Sequence, residues 1–145
     1  MPARSLLVLT CMDARLEPLA LLGLRVGDAH VVRNAGGRAR DALRSVAVSC
    51  AMFGTRAILV VHHTGCGMHG LTSETVRDRL RVRGAAAAAE ADFLPFASLE
   101  DSVRADVAEL RGSALIPPDV AILGFTYDVG TGRLAPVGPA SSESP

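Results

Sequence analysis

Four short runs of aliphatic and β-branched residues punctuate the chain: Leu6–Thr10, Ala29–Arg33, Ala57–His62 and Val120–Tyr127. Each has strand length and is apolar at consecutive positions, the pattern of strands buried on both faces of a parallel sheet. Helical periodicity fills the gaps between them. Glu17–Leu24 is a short helix with Pro18 in its first turn, where the missing N–H costs nothing. Asp41–Phe53 repeats Leu43, Val46, Ala47, Cys50 and Phe53 at helical spacing and stops at Gly54. A third helix starts at Thr72 or Ser73 as N-cap and turns Val76 and Leu80 inward, leaving Arg77, Asp78, Arg79, Arg81 and Arg83 as a solvated face. Ser102–Arg111 is a fourth, with Val103, Val107 and Leu110 on one side. A Thr131-Gly132 turn then leads into Arg133–Val137, a short edge strand.

Strands alternating with helices predict an α/β fold: a mostly parallel central β-sheet flanked by helices, with a short C-terminal edge strand. The chain has 145 residues, enough for one domain with a sizeable core. Residues 1–137 form that expected single domain, and the Ser/Pro-rich residues 138–145 read as a disordered tail. The Ala85–Ala89 run reads as helix filler or a connector.

Hydrophobic residues make up 49% of the chain and aromatics only 3%, so the core is built from Ala, Val, Leu and Ile. Fifteen basic and fifteen acidic side chains cancel, which removes the positive field that nucleic acid or an anionic membrane would need. No uninterrupted apolar stretch reaches the roughly 18 residues of a membrane helix. Three Cys is an odd count, and Met1–Arg4 is followed by only a short apolar run rather than a secretory leader. The expectation is a cytoplasmic protein whose Cys residues serve metal or redox chemistry instead of a disulfide framework.

Two strand ends carry unusual residues. Leu6–Thr10 runs into Cys11-Met12-Asp13-Ala14-Arg15, and Ala57–Val61 runs into His62-His63-Thr64-Gly65-Cys66-Gly67. In open α/β sheets functional groups collect beyond the carboxyl ends of the strands. If the first and third strands are neighbours, Cys11, His63 and Cys66 converge. Two thiolates and one imidazole form a soft site suited to zinc, with the fourth position free as in catalytic centres. Gly65 and Gly67 give the loop the freedom to turn both side chains toward one ion. Cys50, inside a helix, reads as a small core residue.

Cys11-x-Asp13-x-Arg15 with His63-x-x-Cys66-Gly67 resembles the β-class carbonic anhydrases. The stretch Val31-Val32-Arg33-Asn34-Ala35-Gly36-Gly37 is similar to that family's RNAGG segment, and His62–Met68 and Tyr127–Val129 match its small bacterial branch. The resemblance implies that Cys11, His63 and Cys66 bind Zn2+ and that Asp13 and Arg15 form a catalytic dyad. It implies reversible hydration of CO2 to bicarbonate and a proton, through hydroxide generated at the zinc. Asp13 would accept a hydrogen bond from that hydroxide and aim it, while Arg15 holds Asp13 ionised. Released by Arg15, Asp13 could instead become a fourth ligand in a closed state. His62, His69 and His30 are candidates for proton transfer. Gly36 and Gly37 suggest close backbone packing at the zinc pocket, Asn34 a local turn, and Gly67 a place in the pocket. The family further implies a homodimer.

This chain departs from larger relatives in several ways. It begins almost at the first strand, so the helices with which they wrap a partner are missing from this sequence. It has no Gln for the substrate pocket and no Trp for the allosteric bicarbonate site of some relatives. Gly65 stands where the nearest branch often has Asp. Two further readings keep the zinc: a carbonyl sulfide or carbon disulfide hydrolase, and a non-catalytic zinc-binding dimerisation domain. A phosphatase-like loop fails on spacing, because it places its Arg further from the Cys than Arg15 lies.

Overall fold

The computed structural model describes residues 1–85 and 91–139. Most of the Ala85–Ala89 run, and the tail beyond Pro139, lie outside the described residues. The strands are β1 (Leu6–Cys11), β2 (Ala29–Asn34), β3 (Ala57–His63), β4 (Ala121–Tyr127) and β5 (Leu134–Val137). The helices are α1 (Pro18–Leu21), α2 (Ala39–Phe53), α3 (Ser73–Val82) and α4 (Leu99–Gly112), with one 3-10 turn at Ala35–Gly37. The five strands form one sheet in the order β2-β1-β3-β4-β5. The first four run parallel and β5 closes the edge antiparallel to β4. β1 and β3 are therefore neighbours, and their carboxyl ends lie side by side.

The core fills the face covered by α2 and α4. Leu7, Leu9, Ile58, Val60 and Ile122 from the strands pack on Ala42, Val46, Val103, Val107 and Leu110 from the helices. α4 starts at Ser98, whose hydroxyl accepts the Asp101 N–H at 3.3 Å, and α3 starts at Thr72, which caps Thr75 N–H at 3.1 Å. α2 ends at Gly54 in the left-handed region.

Four expectations change. α1 is only one turn, because the chain reverses at Gly23 with φ of 65° and Leu24 N–H bonds back to Leu19 O. The buried line of α2 runs through Ala39, Ala42, Val46 and Ser49, while Cys50 is half-buried and Phe53 exposed. α3 buries no residue, so Val76 and Leu80 are only partly covered. It packs beside the segment after it, where Arg77 donates to Ala91 O, and its charges pair along its own surface, Arg77 with Glu74 and Arg81 with Asp78. Finally, β4 is not buried on both faces. α2 and α4 cover one side of the sheet, and on the other burial fades from Val8 and Val61 to Leu123, which is 49% exposed. Among the described residues, no helix is long and apolar enough to cross a membrane.

Candidate metal centre

Parallel pairing puts Thr10 beside Val61, and the Thr10 hydroxyl donates to Val61 O at 2.7 Å. This stitch holds together the two strand ends that carry the proposed ligands. The Sγ atoms of Cys11 and Cys66 lie 3.9 Å apart, and with a ring nitrogen of His63 all three donor atoms fall within 4.8 Å of one another. All three residues are buried.

The imidazole is preset. His63 Nδ1–H donates to Thr64 O at 2.9 Å, a carbonyl that can only accept, so Nε2 carries the lone pair. Thr64 is in turn pinned to the end of β4: its N–H bonds to Tyr127 O, and its hydroxyl accepts from Val129 N–H. His63 Nε2 is buried without a hydrogen-bond partner. A buried lone pair facing two sulfurs is costly unless an electrophile answers it.

The two sulfurs are electrostatically coupled. The Cys11 thiol is brought well below its ordinary value, chiefly by the Cys66 thiol, against burial and with help from His63 and from the backbone N–H groups of Asp13 and Gly36. Cys66 moves the other way, because the neighbouring Cys11 sulfur and burial both oppose a second negative charge. A divalent soft cation resolves that conflict by neutralising both thiolates. The donor set, the preset imidazole and the spacing all fit zinc.

Asp13 sits at the rim. Arg15 grips it with a fork, Nε to Oδ1 at 2.9 Å and Nη2 to Oδ2 at 2.8 Å, while the Arg15 N–H also reaches Oδ1. Those bonds hold the carboxyl well below the usual carboxylate range. Oδ2 lies 3.8 Å from His63 Nε2, so the acid faces the donor cluster without joining it. Arg15 Nη2 also donates to Gly65 O at 2.9 Å, tying the dyad to the loop between His63 and Cys66. Gly65 adopts φ of 65°, the left-handed turn this loop needs. Gly67 does not share that role. Its φ is ordinary and an added Cβ would meet nothing within 4 Å.

The Asn34–Gly37 segment folds against Cys11. Gly36 and Gly37 take φ of 81° and 72°, and Gly36 N–H points at Cys11 Sγ at 3.4 Å. A Cβ on Gly37 would lie 2.9 Å from the carbonyl carbon of Thr10, so only glycine lets the turn approach β1 this closely. Asn34 closes the turn from its side chain, accepting Arg38 N–H at 2.6 Å and donating to Arg38 O at 2.8 Å.

The three histidines offered for proton transfer sit in three different settings. Successive strand residues point to opposite faces, so His63 faces the sulfurs and His62 faces α4. His62 is 1% exposed and enclosed by Ser102, Gly37 and Asp106. His30 lies near the start of β2, beside Leu7 and bonded to Ser49, at the other end of the sheet. His69 is exposed, stacked on Phe96, and bonds Ala97 O.

Three residues near the site have no role assigned from the sequence. Arg33 donates from Nε to Cys11 O and from Nη2 to Asp13 O, bracing the backbone on both sides of Met12. Asp106 and Ser102 occupy the inward face of α4. A polar residue in register with Val103, Val107 and Leu110 is the clue that would have found them.

The fold and this site define a β-class carbonic anhydrase, and the chain belongs to that family: the carbonic anhydrase family model matches residues 6–134. It is similar to β-carbonic anhydrase 1 of Mycobacterium tuberculosis, 35% identical over 140 residues covering 95% of this chain and 85% of that one. It is also similar to a carbon disulfide hydrolase of Acidianus sp., 37% identical over 155 residues, 90% of this chain and 76% of the relative. The crystal structure of the carbonic anhydrase of Streptococcus mutans matches with a TM-score of 0.90 at 46% identity, covering 94% of this chain and 83% of that one.

Proposed function

We propose that residues 1–137 form a zinc-dependent carbonic anhydrase that interconverts CO2 with bicarbonate and a proton. One observation carries this reading: the partnerless His63 Nε2 lies among two thiols and beside a carboxylate that Arg15 keeps ionised. Cys11, His63 and Cys66 would hold the Zn2+, which supplies a Lewis acid able to make water nucleophilic near neutral pH. Asp13 acts from the rim, accepting a hydrogen bond from the reacting water and fixing its direction. Arg15 orients Asp13 and engages both of its oxygens, which favours the open state over the one in which Asp13 is a fourth ligand. Cys11 and Cys66 carry compensating negative charge, and the N–H of Gly36 tempers it at Cys11. Asn34 and Gly37 hold that N–H in place.

The protein with one zinc per chain, measured by stopped-flow CO2 hydration, tests the assignment. Turnover that depends on zinc and on Asp13 is expected; a zinc-loaded protein with no rate above buffer overturns it. The similarity to carbon disulfide hydrolases favours a second reading of the same centre, hydrolysis of carbon disulfide or carbonyl sulfide. Sulfide release from either substrate exceeding CO2 hydration would establish that reading. We further propose a homodimer, tested by sedimentation, and a reducing, cytoplasmic location, supported by the free thiols of Cys11, Cys50 and Cys66.

A further inference from the structure

Behind the metal centre lies a buried ionic cluster that the reaction itself does not use. Asp106 on α4 and His62 on β3 are each 1% exposed, and the Arg38 side chain is 12% exposed. Arg38 Nε donates to Asp106 Oδ2 at 2.8 Å, Nη2 reaches Oδ1 at 3.4 Å, and Nη1 donates to Leu94 O at 2.7 Å. His62 Nε2 faces two acceptors, Asp106 Oδ2 and Gly37 O, each at 3.2 Å, so this nitrogen bears the proton. His62 Nδ1 pairs with Ser102 Oγ at 2.7 Å. Phe96 stacks on His62 and lies under the Arg38 guanidinium, closing the cluster to water.

Burying ions is expensive, and an apolar trio of the same volume would serve packing as well or better. The cluster's contacts point to a different task. Two of its members grip the same short turn: Arg38 is the turn's last residue, and Gly37 O receives His62. That turn places the Gly36 N–H 3.4 Å from Cys11 Sγ. Asn34 closes this turn on itself, but its two successive left-handed glycines carry no side chain, and the contacts of His62 and Arg38 tie it to β3 and α4.

We propose that Asp106, with His62, Ser102 and Arg38, is a positioning network that sets the Gly36 N–H against the Cys11 sulfur and so tunes the donor strength of that ligand. An N–H bond to a thiolate draws charge from sulfur, and outer partners of this kind govern metal affinity as well as ligand orientation. The network works through α4: Asp106 fixes Arg38 and His62, these fix the turn, and the turn fixes the donor. This inference rests on Cys11, His63 and Cys66 being the metal ligands.

Zinc affinity by chelator competition, and the sulfur-to-metal charge-transfer absorption of the cobalt(II)-loaded protein, test it in Asp106→Asn, Ser102→Ala and the surface control Asp119→Asn. Asp119 pairs with Arg56 in an exposed ion pair far from the turn. Asp106→Asn is expected to weaken zinc binding about 10- to 100-fold and shift the cobalt band. Ser102→Ala should move both in the same direction by a smaller factor, and Asp119→Asn should move neither. Wild-type affinity and an unchanged band in folded Asp106→Asn or Ser102→Ala overturn the proposal. If Asp106→Asn does not fold, Ser102→Ala decides, together with hydrogen exchange at the Gly36 amide. That exchange must be faster in the metal-free variant than in the metal-free wild type; equal rates refute the network. Failure of the wild type itself to bind one zinc per chain refutes the metal centre instead, which separates the two claims.

Discussion

Arg15 holds both carboxylate oxygens of Asp13 and, through the same guanidinium, the carbonyl of Gly65. One side chain thus couples the acid after β1 to the turn between His63 and Cys66, two of the proposed ligands. A lysine could make one of these contacts but not the planar fork. Asp13→Ala should lower zinc-dependent CO2 hydration by on the order of 10²- to 10⁴-fold at unchanged zinc content. Arg15→Lys should lose less, and zinc analysis beside stopped-flow rates checks both. A rate that survives Asp13→Ala would remove the acid from the mechanism.

The three donors act as a set, since each leaves two others short of a stable coordination sphere. His63→Ala and Cys66→Ala should each purify with little zinc and show no thermal shift on adding it. The wild type at a hundredfold excess of zinc over its dissociation constant should gain about 2.7 kcal/mol of stability. Differential scanning calorimetry with and without zinc reads this directly.

Gly37 and Gly67 look alike in the sequence but differ in the fold. Gly37→Ala meets both a left-handed φ and a backbone wall 2.9 Å away, and should cost about 2–4 kcal/mol. Gly67→Ala faces open space at an ordinary φ and should change stability by no more than about 0.5 kcal/mol. Urea unfolding of the two variants provides the comparison, and equal losses would contradict the geometry of the turn.

Asp106 gives the fold a pH dependence of definite sign. Burial alone would raise its carboxyl, but the hydrogen bonds from His62 and Arg38 outweigh burial and leave it below its ordinary value. A carboxyl lowered in the folded state contributes stability that is complete above the unfolded value, about pH 4, and is lost as pH falls through the folded one. Wild-type stability should therefore drop more steeply below about pH 4 than that of Asp106→Asn. Chemical denaturation across the acid range measures the two slopes, and parallel curves would show that Asp106 does not contribute.

Four consecutive apolar runs mark the parallel strands β1–β4, because such strands concentrate aliphatic residues, whereas the antiparallel edge strand β5 is marked by the Thr131-Gly132 turn before it. The Cys, His and Asp at two strand ends marked the site for the same reason: chemistry-bearing side chains interrupt an otherwise aliphatic run. What stayed hidden depends on three-dimensional neighbours. Val76 and Leu80 have helical spacing, but no sheet lies under α3 to receive them. Arg38 and Asp106 are 68 positions apart and meet only after α2 and α4 share one face of the sheet. His62 and His63 are adjacent in the sequence, and strand alternation puts them on opposite faces of the sheet.

The strand order itself bears on how the centre withstands thermal motion. Cys11 and His63 close β1 and β3, each flanked by a parallel neighbour on both sides, whereas β2 and β5 form the borders of the sheet. Opening of a sheet proceeds from its borders, where fewer bonds must break at once. Two of the three donors are thus anchored in the part of the molecule that comes apart last. Asp13 and Arg15 at the rim can fluctuate while the spacing of those two donors holds.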